Sequence, residues 1–305
     1  MKYGFQLFLL IFWCFLAPVK AQTQIDWFSA QDATNVAANG VSAMDSSFRF
    51  ELGVFTGTFV PTSENVSEWS GNWNAAQRTS YKVDLKRYAS SFTAFAVTAP
   101  FSPGKAVYIW GFKGDPAAGE WILFRANSWI WPSAVSGPPP LPLNWLTKEA
   151  TAILGTINSS GSPFLMQAAA VTNAIPPITT YTQWQTDELD GETLNQPDED
   201  ADGDGTANIL EFVFGTAPKT ANPSPMGGAT FASVSGENYL HLTVPRRADR
   251  PATLVVEVSE DLSVWNSGAS HTTTVSSSTT SLTVRDLIPI SPAAPKRFIR
   301  LKATP

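Results

Sequence analysis

Residues 48–54 read Phe48-Arg49-Phe50-Glu51-Leu52-Gly53-Val54, a run in which apolar positions alternate with charged or small ones. A period of two puts Phe48, Phe50, Leu52 and Val54 on one side of an extended chain, the pattern of a strand with one face on a core. Phe55 breaks that parity and points to a bulge near Gly53 or Gly57, where a missing Cβ tolerates irregular backbone. Residues 106–112 and 121–124 are apolar runs of strand length. The connection between them holds Gly114, Asp115, Pro116 and Gly119 and reads as a hairpin turn. One helix is expected from Asn65, with Glu68 three residues on and Val66, Trp69 and Trp73 on one face. The proline-rich stretch 132–142 is expected to be an extended surface loop.

Towards the carboxyl end the composition turns to Thr, Ser and Val. Strands are expected at 239–244, 253–259, 281–284 and 297–302, with His241 and Thr243 facing outward. Short strands at close spacing argue for a small antiparallel sandwich. The fold class is therefore mainly β, with two antiparallel β-sandwich-like domains, a Trp-rich one at 22–180 and a carboxy-terminal one at 228–305. A short helix-loop-helix segment, 181–220, joins them, and residues 173–180 and 216–230 read as linkers.

The first 21 residues read as a signal peptide. Lys2 supplies the positive end, residues 5–17 are almost wholly apolar, and Val19 and Ala21 place small side chains before a cut after Ala21. That apolar run of about 13 residues is short of the roughly 20 that span a bilayer, so no membrane span is expected in the mature chain. The sole cysteine, Cys14, lies in this leader, which leaves the mature chain without disulfides, a Cys nucleophile or Cys-bound zinc. Removing Lys2 and Lys20 leaves 18 basic against 26 acidic residues, a charge of −8, and a nucleic-acid partner is excluded for want of a basic excess. The expected location is secreted, extracellular or at the cell surface.

Residues 200–211 read Asp-Ala-Asp-Gly-Asp-Gly-Thr-Ala-Asn-Ile-Leu-Glu and fit D-x-[DN]-x-[DN]-G-x₅-E at every constrained position. A calcium ion takes six to eight oxygens at roughly 2.3–2.6 Å. Asp200, Asp202 and Asp204 can supply carboxylates, Thr206 a backbone carbonyl, Asn208 a direct or water-bridged contact, and Glu211 both oxygens, while Gly205 permits the bend. Residues 187–211 hold ten carboxylates and no Lys or Arg, so a divalent cation would relieve their repulsion. Calcium fits better than magnesium, which resists an all-protein cage, and an affinity as weak as roughly 10⁻⁴–10⁻³ M is expected. Residues 208–214 suit a helix, with Gly215 as its stop.

From Asp200 to Gly215 the chain resembles the loops of EF-hand, dockerin and thrombospondin type 3 modules, which implies Asp200, Asp202, Asp204, Thr206, Asn208 and Glu211 as calcium ligands. A dockerin carries two such loops and this chain one, so docking onto a cohesin is not expected. A broader set of residues resembles exported bacterial proteins of PEP-CTERM type: Phe50-Glu51-Leu52-Gly53, Phe59-Val60-Pro61-Thr62, Tyr108-Ile109-Trp110-Gly111-Phe112, Gly119-Glu120-Trp121-Ile122-Leu123, residues 211–216, and residues 256–265 followed by Arg297-Phe298-Ile299-Arg300-Leu301. That resemblance implies a β-rich architecture and export. No Pro-Glu-Pro motif, second apolar helix or basic tail follows the last strand, so anchoring by that route is not expected.

Catalytic signals are sparse. His241 and His271 are the two histidines, and neither has triad partners at a recognisable spacing. Asp84, Asp115 and Glu120 are carboxylates of the first domain whose spacing selects no pair. Trp129 and Trp131, two apart beside the proline-rich loop, would share a strand face and could stack on sugar rings. The functional expectation is an exported, non-enzymatic, calcium-binding structural or adhesive protein whose partners are polysaccharide or cell-surface and matrix components. The alternatives are a carbohydrate-binding module using exposed tryptophans and a carboxylate-dependent glycosidase.

Overall fold

The computed structural model describes residues 20–305 except 33, 95–97, 115, 137, 161, 223–227 and 293–294. Most of the expected signal peptide, and Asp115, lie outside the described residues. Lys20–Ala21 pairs with Val135–Ser136 in a two-residue antiparallel ladder. Strands take 41% of the chain against 9% for helices, which settles the mainly β class. Among the described residues no helix is long and apolar enough to cross a membrane.

The amino-terminal unit is built on one large antiparallel sheet. Its path runs Thr151–Leu154, Ala118–Arg125, Tyr108–Gly114, Arg49–Phe55, Trp73–Ser80, and Ala169–Thr172 pairs with the far part of Ala118–Arg125. A second sheet of three strands, Ala89–Ala94, Thr23–Phe28 and Leu143–Leu146, covers one face, the last pair being parallel. Phe50, Leu52, Val54, Ile109, Ile122 and Phe124 meet Ile25 and Trp27 in the space between.

The other face of the large sheet is covered too. Phe55, Trp69, Tyr108, Trp110, Phe112, Trp121 and Leu123 form a separate cluster there. The Arg49–Phe55 strand is consequently buried at every position after Arg49, not on alternate ones. The expected irregularity does occur, as a register shift against Trp73–Ser80 between Leu52 and Gly53. It does not explain Phe55, which keeps the period of two and lies on the second buried face. A Cβ on Gly53 would meet the Asn74 carbonyl at 2.3 Å and the Trp73 ring at 2.6 Å, so only glycine fits this crossing.

The helix expected from Asn65 is shorter than its pattern. A 3₁₀ turn, Val66–Glu68, runs into a single α-turn, Trp69–Asn72, and Trp73 already begins a strand. Asn65 does not cap it; its Oδ1 accepts from the Thr62 amide and the Trp69 indole, both at 2.8 Å. Pairing of Trp73 with Phe55 in the ladder overrides the local helical period.

The carboxy-terminal unit is a sandwich. Four strands, Ala229–Val234, Glu237–Pro245, Ser281–Asp286 and Thr272–Ser277, face three, Asn266–Ser267, Thr253–Ser259 and Phe298–Thr304. Leu242, Val244, Val256 and Val284 fill the space between them. His241 was expected outward and is instead 8% exposed, paired across the ladder with Arg285. The helices Tyr181–Glu188 and Asn208–Phe214 share the sandwich core through Trp184, Phe212 and Val213.

Ion pairs bind this assembly to the large sheet. Arg78, on Trp73–Ser80, meets Glu51 at 2.6 Å and Asp187 at 3.3 Å, and Arg49 meets Glu188 at 2.9 Å. Arg247 of the sandwich donates to the Gly114 carbonyl at 2.9 Å.

Candidate metal centre

The loop 200–211 runs into the second of two short helices, its last four residues already helical, and residues 189–199 separate it from the first. Thr180 caps the first, its hydroxyl accepting from the Gln183 amide at 3.2 Å. Gly215, with φ at 84°, closes the second in the left-handed conformation expected of a helix stop. The helices meet through Tyr181, Trp184 and Phe212, with ring centroids 5.5–5.6 Å apart. The segment expected at 181–220 thus holds two short helices, with the aspartates in the connection between them.

Within the loop, carboxylate oxygens of Asp200, Asp202 and Asp204 all lie within 4.8 Å of one another. Backbone amides hold them there. Asp200 accepts from Gly203 and Gly205 at 2.8 and 2.7 Å, Asp202 from Asp204 at 3.2 Å, and Asp204 from Thr206 and Asn222 at 2.8 Å. Gly205, at φ 94°, supplies the bend. Like charges at this separation repel by about 1–3 kcal/mol per pair at effective dielectrics of 80 to 20.

Glu211 is fully buried; its Oε1 accepts from Thr216 Oγ1 at 3.2 Å and its Oε2 has no partner. Burial, and then the Asp202 charge, push its carboxyl up to about 7. Burial and the charges of Asp204 and Asp200 also raise Asp202, whose Oδ2 is likewise buried and unpartnered. The Asn222 amide leads the causes that lower Asp204. A buried carboxylate without a donor costs free energy unless it is protonated or meets a cation. The donor set is oxygen throughout, which suits a hard divalent ion of calcium type.

Asn208 has one half of its amide engaged and the other open. Its Nδ2 donates to the Leu194 and Gln196 carbonyls at 3.0 and 2.9 Å, pinning the turn before the loop, while its buried Oδ1 has no partner. Thr206 lies in the loop with its amide on Asp204. Asn222 and Thr216 were missed as supports because they sit beyond the motif, in a stretch that reads as linker.

Glu211 also makes a signed pH prediction for the metal-free protein. Its folded value lies above the ordinary 4.5, so the folded chain keeps a proton that the unfolded chain releases. That contribution is fully present below about 4.5 and is lost as pH rises through about 7. Glu211→Gln removes the loss. In urea melts without metal, the variant should match the parent near pH 5 and exceed its stability near pH 8. A parent equal to the variant at both values would contradict the burial described.

Trp129 and Trp131 form no platform. They are 0% and 1% exposed. Trp129 stacks on Trp145 at 5.8 Å, and Trp131 packs on Phe101 at 4.6 Å. The side they share faces the core, and no described tryptophan belongs to the exposed class. Of the carboxylates weighed for glycoside hydrolysis, Asp84 is exposed in a turn, and Glu120 accepts from the Ala38 amide at 2.6 Å and lies 3.9 Å from Lys113.

Sequence reading also missed a cleft of about 660 Å³ where the large sheet, the Tyr181–Glu188 helix and the Arg247–Arg250 turn meet. Its wall carries Arg49, Arg78 and Asp187, residues drawn from strands and a helix far apart in the chain. Compared with known proteins, the chain matches no family model, no curated protein and no solved structure.

Proposed function

We propose that this is an exported, non-catalytic protein with a structural or adhesive role, whose 200–211 loop binds one calcium ion. The observation that carries the reading is the convergence of three aspartate carboxylates within 4.8 Å beside a fully buried Glu211 whose Oε2 lacks a donor. Asp200, Asp202, Asp204 and Glu211 would hold the ion through carboxylates, with the Thr206 carbonyl and Asn208 Oδ1 completing the shell. Calcium neutralises the loop and so fixes the connection between the two helices. One of them carries Asp187 and Glu188 to Arg78 and Arg49, so the same ion would stiffen the junction with the large sheet.

Export is supported by the charged and apolar leader, the thiol-free mature sequence and the resemblance to PEP-CTERM-type proteins. Polysaccharide or matrix components are the proposed partners. Recognition of sugars by stacking on Trp129 and Trp131 is not part of the proposal, since both are buried.

The test is thermal melting of the mature protein with and without calcium, beside calorimetric titration. Calcium at tenfold excess over its Kd should stabilise by about 1.4 kcal/mol, which is roughly 3–6 °C at 2–4 °C per kcal/mol. Asp204→Ala and Glu211→Gln should show no such rise. With Glu211→Gln above the parent in metal-free buffer near pH 8, calcium should narrow the gap between them. Absence of uptake by the parent at millimolar calcium, or an equal rise in both variants, would defeat the assignment.

A further inference from the structure

The chain is acidic, with a net charge of −6, yet the turn Arg246-Arg247-Ala248-Asp249-Arg250-Pro251 gathers three arginines in six residues. Its backbone is held from several sides. The amides of Arg246, Arg247 and Ala248 donate to the Thr280, Val213 and Thr279 carbonyls at 2.9, 2.9 and 3.1 Å. The Asp249 carbonyl accepts from the Thr179 amide at 2.8 Å. A hollow of about 150 Å³ lies against this turn and the end of the Asn208–Phe214 helix, and no carboxylate lines it.

The three guanidinium groups differ in how their charge is met. Arg247 is neutralised by Asp249, with contacts at 2.8 and 3.0 Å. Arg246 donates to the Ser278 carbonyl at 2.7 Å, and Arg250 to the Phe212 carbonyl at 3.1 Å. Among the described residues neither has a carboxylate within 4.0 Å. Each guanidinium has five N–H donors, so each keeps several beyond its carbonyl contact. Arg250 lies 5.7 Å over the Phe212 ring, and burial, then the Arg247 charge, press it down to about 10. The Asp249 and Glu188 charges oppose that shift only from beyond 4.0 Å. A partly desolvated cation with no carboxylate in contact favours an incoming anion, and the guanidinium fork matches two oxygens of one group.

We infer that this hollow is a binding site for a single oxyanionic group, held by Arg246 and Arg250 with Arg247 at its edge. The volume suits one carboxylate, sulfate or phosphate group, with the rest of a larger molecule outside. Val213, Ala252 and Leu254 supply the apolar side of the hollow and keep water from one flank of the pair. The inference does not depend on the calcium reading, because no residue of the 200–211 loop lines the hollow.

The experiment is calorimetric titration of the full mature protein, without calcium and at fixed ionic strength. The probes are sodium sulfate, inorganic phosphate and sodium glucuronate, with sodium chloride as the reference. One-site saturation in the millimolar range is expected for at least one probe, weakened at least tenfold in Arg250→Gln and in Arg246→Gln and unchanged in Lys302→Gln. Binding of glucuronate alone assigns a carboxylate ligand; sulfate and phosphate alone assign an ester; all three assign any oxyanion. Arg246→Gln, at a half-buried position, decides the matter if Arg250→Gln does not fold. No saturable heat beyond chloride for any probe, or equal weakening in Lys302→Gln, overturns the site.

Discussion

Arg78→Met should destabilise the amino-terminal unit by about 3–5 kcal/mol, because it strands Glu51 as a buried charge without its counter-ion. Glu51 is 2% exposed, and its Oε1 meets Arg78 at 2.6 Å. Its other oxygen accepts from the Trp73 indole at 2.5 Å. Burial already pushes the Glu51 carboxyl up, with Arg78 and the Trp73 indole opposing. Without Arg78 that burial is opposed by the indole alone, and the carboxyl turns neutral in the fold. A raised carboxylate contributes stability below its unfolded value of about 4.5 and loses it as pH rises through the folded value. The deficit of Arg78→Met should therefore be largest near pH 8 and shrink near pH 5. Adding Glu51→Gln should recover part of it, since the stranded charge is then gone. Urea melts of the three proteins at the two pH values decide this. A deficit under about 1 kcal/mol, or one indifferent to pH, would mean that the pair is not desolvated as described.

Trp110→Ala should cost a similar amount, about 3–5 kcal/mol, by a different route. Trp110 is fully buried at the centre of the second cluster. Its ring lies 5.1 Å from Trp121, 5.4 Å from Trp69 and 5.6 Å from Trp73, in edge-to-face contacts. Truncation leaves a cavity that no single neighbour can fill without losing its own contacts. Trp110→Phe keeps an aromatic ring in place and should cost less than half as much. Circular dichroism during denaturation measures both without relying on tryptophan emission. Equal stabilities for Trp110→Ala and Trp110→Phe would show that the cluster collapses freely around the gap.

What could be read in advance was local. The strand at 48–54, the hairpin between 106 and 124, the aspartate loop and the Gly215 stop each depend on residues close in sequence, and each appears where the pattern places it, although the strand is buried on both faces. The misses share a non-local cause. A period of two says that Trp129 and Trp131 share a side but not what lies over it, and here Trp145, Phe92 and Phe101 do. Phe55 looked like a parity error because a second apolar cover on the sheet leaves no mark on a single strand. The strand Thr272–Ser277 went unread because its residues show no apolar alternation; Val275 is 52% exposed. In the aspartate loop the carboxylates were visible, but the amide donor from Asn222 and the hydroxyl donor from Thr216 were not, since neither belongs to the motif.

The parallel ladder between Thr23–Phe28 and Leu143–Leu146 has a temporal consequence. Ile25 lies opposite Leu143, so one edge of an early strand stays open until more than a hundred further residues exist. At a synthesis rate of about 5–20 residues per second, that wait lasts on the order of ten seconds. Closing so long a segment is entropically slow, and the first β unit cannot be sealed while its chain is still short. A nascent molecule of this sequence therefore spends its early life as an unlatched polymer, open to whatever handles newly made chains.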